Sequence, residues 1–208
     1  MLQLIKISPV GLGRFCVYFS VLISGAIISP ALWAGKLDLS VSDDAAQIKF
    51  ESAFDITDIY FSGGLSSFDN EENIVDVDGT SGFVGLALTE AIDGKSRVGL
   101  GVRLNKFSID VNTPGDIDIE GGALGIGGFA HLYLPSNEKL RFRAEAYYAP
   151  DAITYDDVTK FSEFSIQFEY NVIQNAVVTL GFRDVSVEVI DEDLDIEDDV
   201  FFGIRIEF

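Results

Sequence analysis

The chain has 208 residues, and its 34 acidic against 14 basic side chains give a net charge of −20 with the single histidine neutral. That sign excludes nucleic acid as a partner, because binding a phosphate backbone takes cationic surface. The only cysteine, Cys16, falls in a segment that reads as a removable leader, which excludes disulfides, thiolate nucleophiles and cysteine metal sites from the remainder.

Within residues 1–34, Lys6 and Arg14 precede an apolar run from Phe15 to Ile28 that ends in small residues and Pro30. This is the pattern of a secretory signal peptide, with cleavage predicted after Ala31 or Ala34. Its loss leaves 12 basic and 34 acidic residues, a net of −22, on a single predicted domain, 35–208. No later stretch approaches the ~18 consecutive apolar residues of a membrane helix, yet 48% of the chain is hydrophobic and 17 residues are Phe. A transmembrane β-barrel resolves the conflict, because only every second residue of its strands faces lipid.

The elements follow in order. Leu37, Leu39 and Val41 alternate with Asp38, Ser40 and Ser42, and after a tight turn at Asp43-Asp44 Ile48, Phe50 and Phe54 follow on a second strand. A break at Asp55–Asp58 leads to a third strand with Ile59, Phe61, Gly63 and Leu65 on one face, then to a polar stretch, 67–81, predicted as a loop. The fourth strand, Gly82–Glu90, turns at Asp93-Gly94, a strong hairpin signal. The fifth, Ser96–Ile109, is followed by an acidic loop at 110–118. A sixth, Ala123–Leu134, turns at Pro135-Ser136-Asn137 into a seventh, Leu140–Tyr148, followed by a loop at 150–159. The eighth shows Phe164, Ile166, Phe168 and Tyr170 opposite Glu163, Gln167 and Glu169, and turns near Ile173–Asn175.

The ninth strand starts with Val178, Leu180 and Phe182 outward, but Val185, Val187 and Val189 change phase, which predicts either a bulge or a strand standing above the membrane. A strongly acidic loop, 190–199, precedes the last strand, where Val200, Phe202, Ile204, Ile206 and Phe208 alternate with Phe201, Gly203, Arg205 and Glu207. Short turns interleave with longer acidic loops, the asymmetry of periplasmic turns and extracellular loops; only the tight first hairpin departs from it. The predicted fold is all-β: a transmembrane, antiparallel, up-and-down barrel of ten strands in the outer membrane of a Gram-negative bacterium. Eight strands is the alternative if the first hairpin stays outside the wall, and a soluble periplasmic β-protein is the rival.

At Arg143–Thr154, RAEAYYAPDAIT, the chain resembles the YfaZ family of Gram-negative outer-membrane proteins, which carry Glu-Ala-Tyr-Tyr-Ala-Pro-Asp at this place. The Gly-rich run GGALGIGG, Gly121–Gly128, and the aromatic end at Phe208 are similar too, and the resemblance is good from about Gly121 to Phe208. It implies an outer-membrane barrel and brings no catalytic residues.

Strand parity places Lys49, Arg97, Arg103, Arg141, Arg143, Arg183 and Arg205 inside, with Asp38, Glu51, Glu145, Glu163, Glu169 and Glu207. The interior of a barrel of ~8 to 10 strands is about wide enough for side chains to fill, so these charges are expected to pair and plug it; a narrow solute channel is the alternative. Most net charge then sits in the loops, as Asp69, Glu71, Glu72, Asp76 and Asp78 in one cluster and 191–199 in another. Asp191, Asp193, Asp195 and Glu197 offer carboxylates for a weakly held divalent cation, which would also bridge to lipopolysaccharide phosphates. Ile196 and Phe202 replace the glycine and final glutamate of an EF-hand, so no such site is present, and a plain repelling surface is the competing reading.

The acid–base case rests on His131 alone, expected in the lumen at the periplasmic end without a Ser or Asp partner, so no enzyme and no cofactor are expected. Gly125–Ala130 matches a dinucleotide-binding pattern, but strand rather than helix follows it. Tyr60, Tyr133, Tyr147, Tyr148, Tyr155 and Tyr170 are expected in interfacial girdles or as lumen filling. The expected partners are membrane lipid, lipopolysaccharide and, through the strand ending at Phe208, the barrel-assembly machinery; the protein is expected to be a monomer.

Overall fold

The computed structural model describes residues 35–208 except 55–57, 71–75, 94, 113–116, 138 and 190–191. The predicted leader lies outside the described residues. Alternating sequence becomes strand throughout: β1 (Gly35–Val41), β2 (Ala45–Phe54), β3 (Ile59–Asn70), β4 (Asp76–Ala91), β5 (Arg97–Asn112), β6 (Ile117–Tyr133), β7 (Leu140–Ala149), β8 (Thr154–Asp156), β9 (Val158–Ile173), β10 (Ala176–Val189) and β11 (Glu192–Glu207). Sequential neighbours pair antiparallel, β7 pairs with β9, and β1 pairs with β11 from Lys36↔Glu207 to Val41↔Phe202. The result is a closed ring of ten strands, which sets aside the eight-strand alternative. Gly35 and Phe208 complete the seam through reciprocal backbone hydrogen bonds of 2.9 Å.

The wall is inside out relative to a soluble protein. Leu86, Leu88, Leu100, Ile126, Phe168, Leu180 and Val200 are exposed, whereas Glu51, Arg103, Arg143, Glu169 and Arg205 are buried. Only a surrounding of acyl chains makes that distribution favourable. Among the described residues no helix is long and apolar enough to cross a membrane, so the strands are the spanning elements.

Several strands overshoot the bilayer. β5 and β9 have 16 residues each; at ~3.3 Å per residue and a tilt of ~40° such strands rise ~40 Å, against an apolar band of ~25 Å. The excess is at the end away from the chain termini, where the stretches expected as loops at 67–81 and 190–199 are largely strand: β3 runs to Asn70, β4 starts at Asp76 and β11 at Glu192. Their polar composition reflects solvent on the outer face of an emergent strand, which composition alone reads as loop. The expected loop at 150–159 holds a short 3-10 turn (Asp151–Ile153), then β8 and the first residues of β9; β8 pairs with Gly121–Ala123 of β6 above the end of the shorter β7. Above the equally short β1–β2 hairpin, β3 and β11 meet, with Asn70 Nδ2 donating to the Asp195 carbonyl at 3.2 Å.

The apparent phase slip of the ninth expected strand, β10, is a change of chemistry at constant parity. Arg183, Val185, Val187 and Val189 all face inward, and Asp184, Ser186 and Glu188 outward. The extra residue lies in the partner strand: Val185 pairs with Glu197 and Ser186 with Asp195, so Ile196 is a bulge in β11. On β5 the same inversion occurs between Leu104 and Phe107, with Leu100, Val102 and Leu104 out below it and Phe107, Ile109 and Val111 in above it.

Candidate functional site

Two media fill the lumen, one above the other. The lower one, within the membrane, is a lattice of ion pairs in two main groups, one centred on Glu145 and the other on Glu169. Glu145 Oε1 lies 2.8 Å from Lys49 Nζ and its Oε2 2.9 Å from Arg103 Nη2. Arg143 bridges Glu145 to Glu51, and Lys49 closes the circuit to Glu51 at 3.0 Å. Arg103 also reaches Glu163 at 2.6 Å, its guanidinium between the rings of Phe83 and Tyr147, 4.2 and 3.9 Å from their centroids. Arg205 joins Asp38 and Glu169, both at 2.7 Å, and Arg141 joins Glu169 at 3.1 Å and Glu207 at 3.0 Å. Charges removed from water demand this saturation, since an uncompensated buried ion costs several kcal/mol. A residual void of about 30 Å³ remains among them, room for about one water.

The upper medium is apolar. Phe68, Val77, Phe107, Ile109, Ile119, Val158, Phe161, Val187 and Ile196 form one buried cluster inside the emergent strands, with the Phe107 and Phe161 rings 5.4 Å apart. Gly79 admits Phe68 here: a Cβ on it would lie 2.9 Å from the Phe68 ring and 2.2 Å from the Ser108 carbonyl oxygen. Sequence reading assigned the stretches bearing Phe68, Val77 and Val111 to loops and so missed this core. The signal for it is the continued period-two placement of Val and Ile through the acidic stretches.

The predicted inward residues meet this geometry with three adjustments. Lys49, Glu51, Arg103, Arg141, Arg143, Glu145, Glu163, Glu169, Arg205 and Glu207 all enter the lattice. Arg97 does not; it stands at the periplasmic mouth with no ion-pair partner among the described residues. Glu197, expected among loop carboxylates, is inside, 3.0 Å from Arg183 and accepting from the Ser42 hydroxyl at 3.1 Å. Lys36, absent from the expected set, lines the mouth.

The expected cation ligands are thereby separated. The Ile196 bulge reverses strand parity, so Asp193 and Asp195 are exposed while Glu197 points inward. Asp191 lies outside the described residues. Among the described residues no group of three or more His, Cys, Asp or Glu side chains is placed to hold a metal.

His131 is in the lumen at the periplasmic end, as expected, but its neighbours are rings: Phe129 at 4.6 Å and Tyr60 at 6.1 Å between centroids. The Gly-rich run lies within β6, where a Cβ on Gly127 would approach the Ala146 carbonyl oxygen to 2.0 Å, so those glycines serve close strand approach rather than phosphate binding. Tyr60, Tyr133 and Tyr147 are lumenal, and Tyr148, Tyr155 and Tyr170 are exposed on the outer surface. Outside the spanning region, the Asp93 carboxyl is held below its ordinary pKa by hydrogen bonds from the Ser96 backbone N–H at 2.5 Å and its hydroxyl at 2.9 Å, which tighten the turn after β4.

The YfaZ precursor family matches residues 26–208. The chain belongs to the YfaZ family. The match takes in the amino-terminal half as well as the region from Gly121 to Phe208, and the YfaZ-family barrel is an outer-membrane protein. No curated protein matches it. Solved structures resemble it distantly. The KdgM porin is 9% identical, with a TM-score of 0.42 over 84% of this chain and 99% of that one. Neisserial surface protein A is 13% identical at a TM-score of 0.40, over 84% and 94%. The outer membrane protease OmpT from Escherichia coli is 8% identical at a TM-score of 0.49, over 84% and 93%.

Proposed function

We propose that this YfaZ-family barrel is a closed, non-conducting outer-membrane protein with a structural and surface-interacting role. The observation that carries the reading is the stacking of an apolar plug on an ion-pair lattice. Among the described residues, an ion moving inward through the emergent strands would have to pass buried Phe107, Phe161 and Val187. A charge in such surroundings is strongly disfavoured, and the lattice below leaves about 30 Å³ of void, too little for a hydrated solute. What the protein offers the exterior is an acidic collar that includes Asp110, Asp118, Glu120, Asp184, Asp193, Asp195 and Asp198 on the outer faces of its emergent strands. That collar suits cationic partners, including divalent ions shared with lipopolysaccharide phosphate. Planar-bilayer recording of the refolded chain tests the closed lumen: a flat baseline is expected, and discrete conductance steps would favour the narrow channel instead.

A further inference from the structure

Below the lattice the lumen opens toward the periplasm as a blind cavity of about 550 Å³, within the range of small-molecule sites. We infer that this vestibule binds a small organic anion, a carboxylate or phosphate carried on a planar apolar body.

Charge supplies the first argument. On the cavity floor Arg143 is matched to Glu51, Arg205 to Glu169, and Arg141 to Glu169 and Glu207. Lys36 and Arg97 line the same cavity and have no ion-pair partner among the described residues, although the chain carries 34 acidic side chains against 14 basic ones. A concave site with low-dielectric walls focuses their field, so the vestibule favours anions in a protein whose outer rim repels them. The second argument is independent of charge. Phe129 packs against Tyr60 at 4.7 Å and His131 at 4.6 Å, and Tyr60 and His131 are themselves 6.1 Å apart, so the three rings cluster into an aromatic wall. On that wall His131 Nε2 is buried without a hydrogen-bond partner among the described residues. Buried polar atoms are nearly always satisfied. A ligand whose planar body lies along this wall would carry its anionic head toward Lys36 and Arg97, which line the same cavity. Binding depends on the lining of the cavity and not on whether the lattice above it is closed, so the inference stands even if the lumen proves to conduct.

The test uses residues 35–208 refolded in an uncharged maltoside detergent and titrated calorimetrically with phenyl phosphate, benzoate, inorganic phosphate and benzyl alcohol. Saturable binding of both aromatic anions is expected, with Kd of about 1 mM or below and weakening about fivefold or more from low to high salt. Arg97→Gln and Lys36→Gln should each weaken binding about tenfold, whereas Lys106→Gln, on the exposed outer face, should leave it unchanged. Both substituted positions are at the mouth, and unchanged gel mobility before and after boiling verifies the fold. No saturable binding of either aromatic anion, equal binding of benzyl alcohol, or wild-type affinity in both mouth variants overturns the inference. Inorganic phosphate binding as tightly as phenyl phosphate overturns the role of the aromatic wall.

Discussion

Replacing Glu145 by Gln keeps the shape of the side chain and removes its charge. Glu145 is 5% exposed and faces Lys49, Arg103 and Arg143 together, so the variant leaves three buried cations to share Glu51 and Glu163. Breaking a buried pair by removing one partner costs about 3–5 kcal/mol, most of it the desolvation of the abandoned charge. A loss of about that size is expected for Glu145→Gln. The exposed pair Lys160–Glu188, at 3.4 Å with side chains 42% and 26% accessible, is the internal control, and Glu188→Gln should cost at most about 1 kcal/mol. Urea unfolding in detergent, followed by tyrosine fluorescence because the only tryptophan is Trp33 in the predicted leader, gives both values from midpoint shifts at constant slope. Adding Lys49→Met to Glu145→Gln removes one stranded cation and should recover about 1 kcal/mol or more. Equal, small losses for Glu145→Gln and Glu188→Gln would refute the idea that the lattice is desolvated, and would mean that water runs through the lumen.

Phe161, 1% exposed in the upper plug, should lose about 3–5 kcal/mol as Phe161→Ala in the same assay, with a bilayer leak if the plug is the outer seal. Leu100, 78% exposed on the lipid face, should cost about 2–4 kcal/mol as Leu100→Arg, whereas Ser108→Arg, on the same face of β5 but above the chemical inversion, should cost about 1 kcal/mol or less. Side-chain NMR titration should place the Asp93 carboxyl below its ordinary value, so its grip on the turn is complete above the unfolded carboxylate pKa and is lost as pH falls through the folded one; Ser96→Ala should move the titration back up.

How much of this was legible in the chain depended on the medium around each strand. Where strands cross lipid, alternation of Leu100, Val102 and Leu104 with Gly101 and Arg103 determines both strand and face, so nearly all members of the lattice follow from parity, whereas the choice of ten strands over eight needed the pairing of β1 with β11. Parity cannot say which partner a lumenal charge finds, because lattice partners such as Lys49 and Glu145 are 96 residues apart and meet only through the register of the closed wall. Nor does it register height. Arg97 has the parity of Arg103 but lies where water reaches the mouth, and so needs no carboxylate. The cation set failed for a different reason: an i, i+2, i+4, i+6 series shares one face only in an unbroken strand, and the single extra residue Ile196 puts Glu197 on the other side of the wall from Asp193 and Asp195.

The tall strands explain why the acidic segments deceive. Above the lipid, exterior and interior exchange chemical character while the backbone continues, so Asp110 replaces Leu104 outside and Ile109 replaces Arg103 inside. An apolar interior is stable there because the gaps above the short strands are covered by β8 and by the β3–β11 contact, so that the inner face is dry while the outer face meets solvent. Below, within the lipid, the alternation commits the outer face to acyl chains and leaves the charged and polar residues to the lumen. The boundary between the two regimes, at Lys106 on β5 and Asp184 on β10, therefore marks the outer membrane plane on the molecule itself. On the proposed closed reading the seal falls at this same boundary, where the apolar cluster of Phe107, Phe161 and Val187 in the emergent wall lies above the charges of the lattice and separates them from bulk solvent.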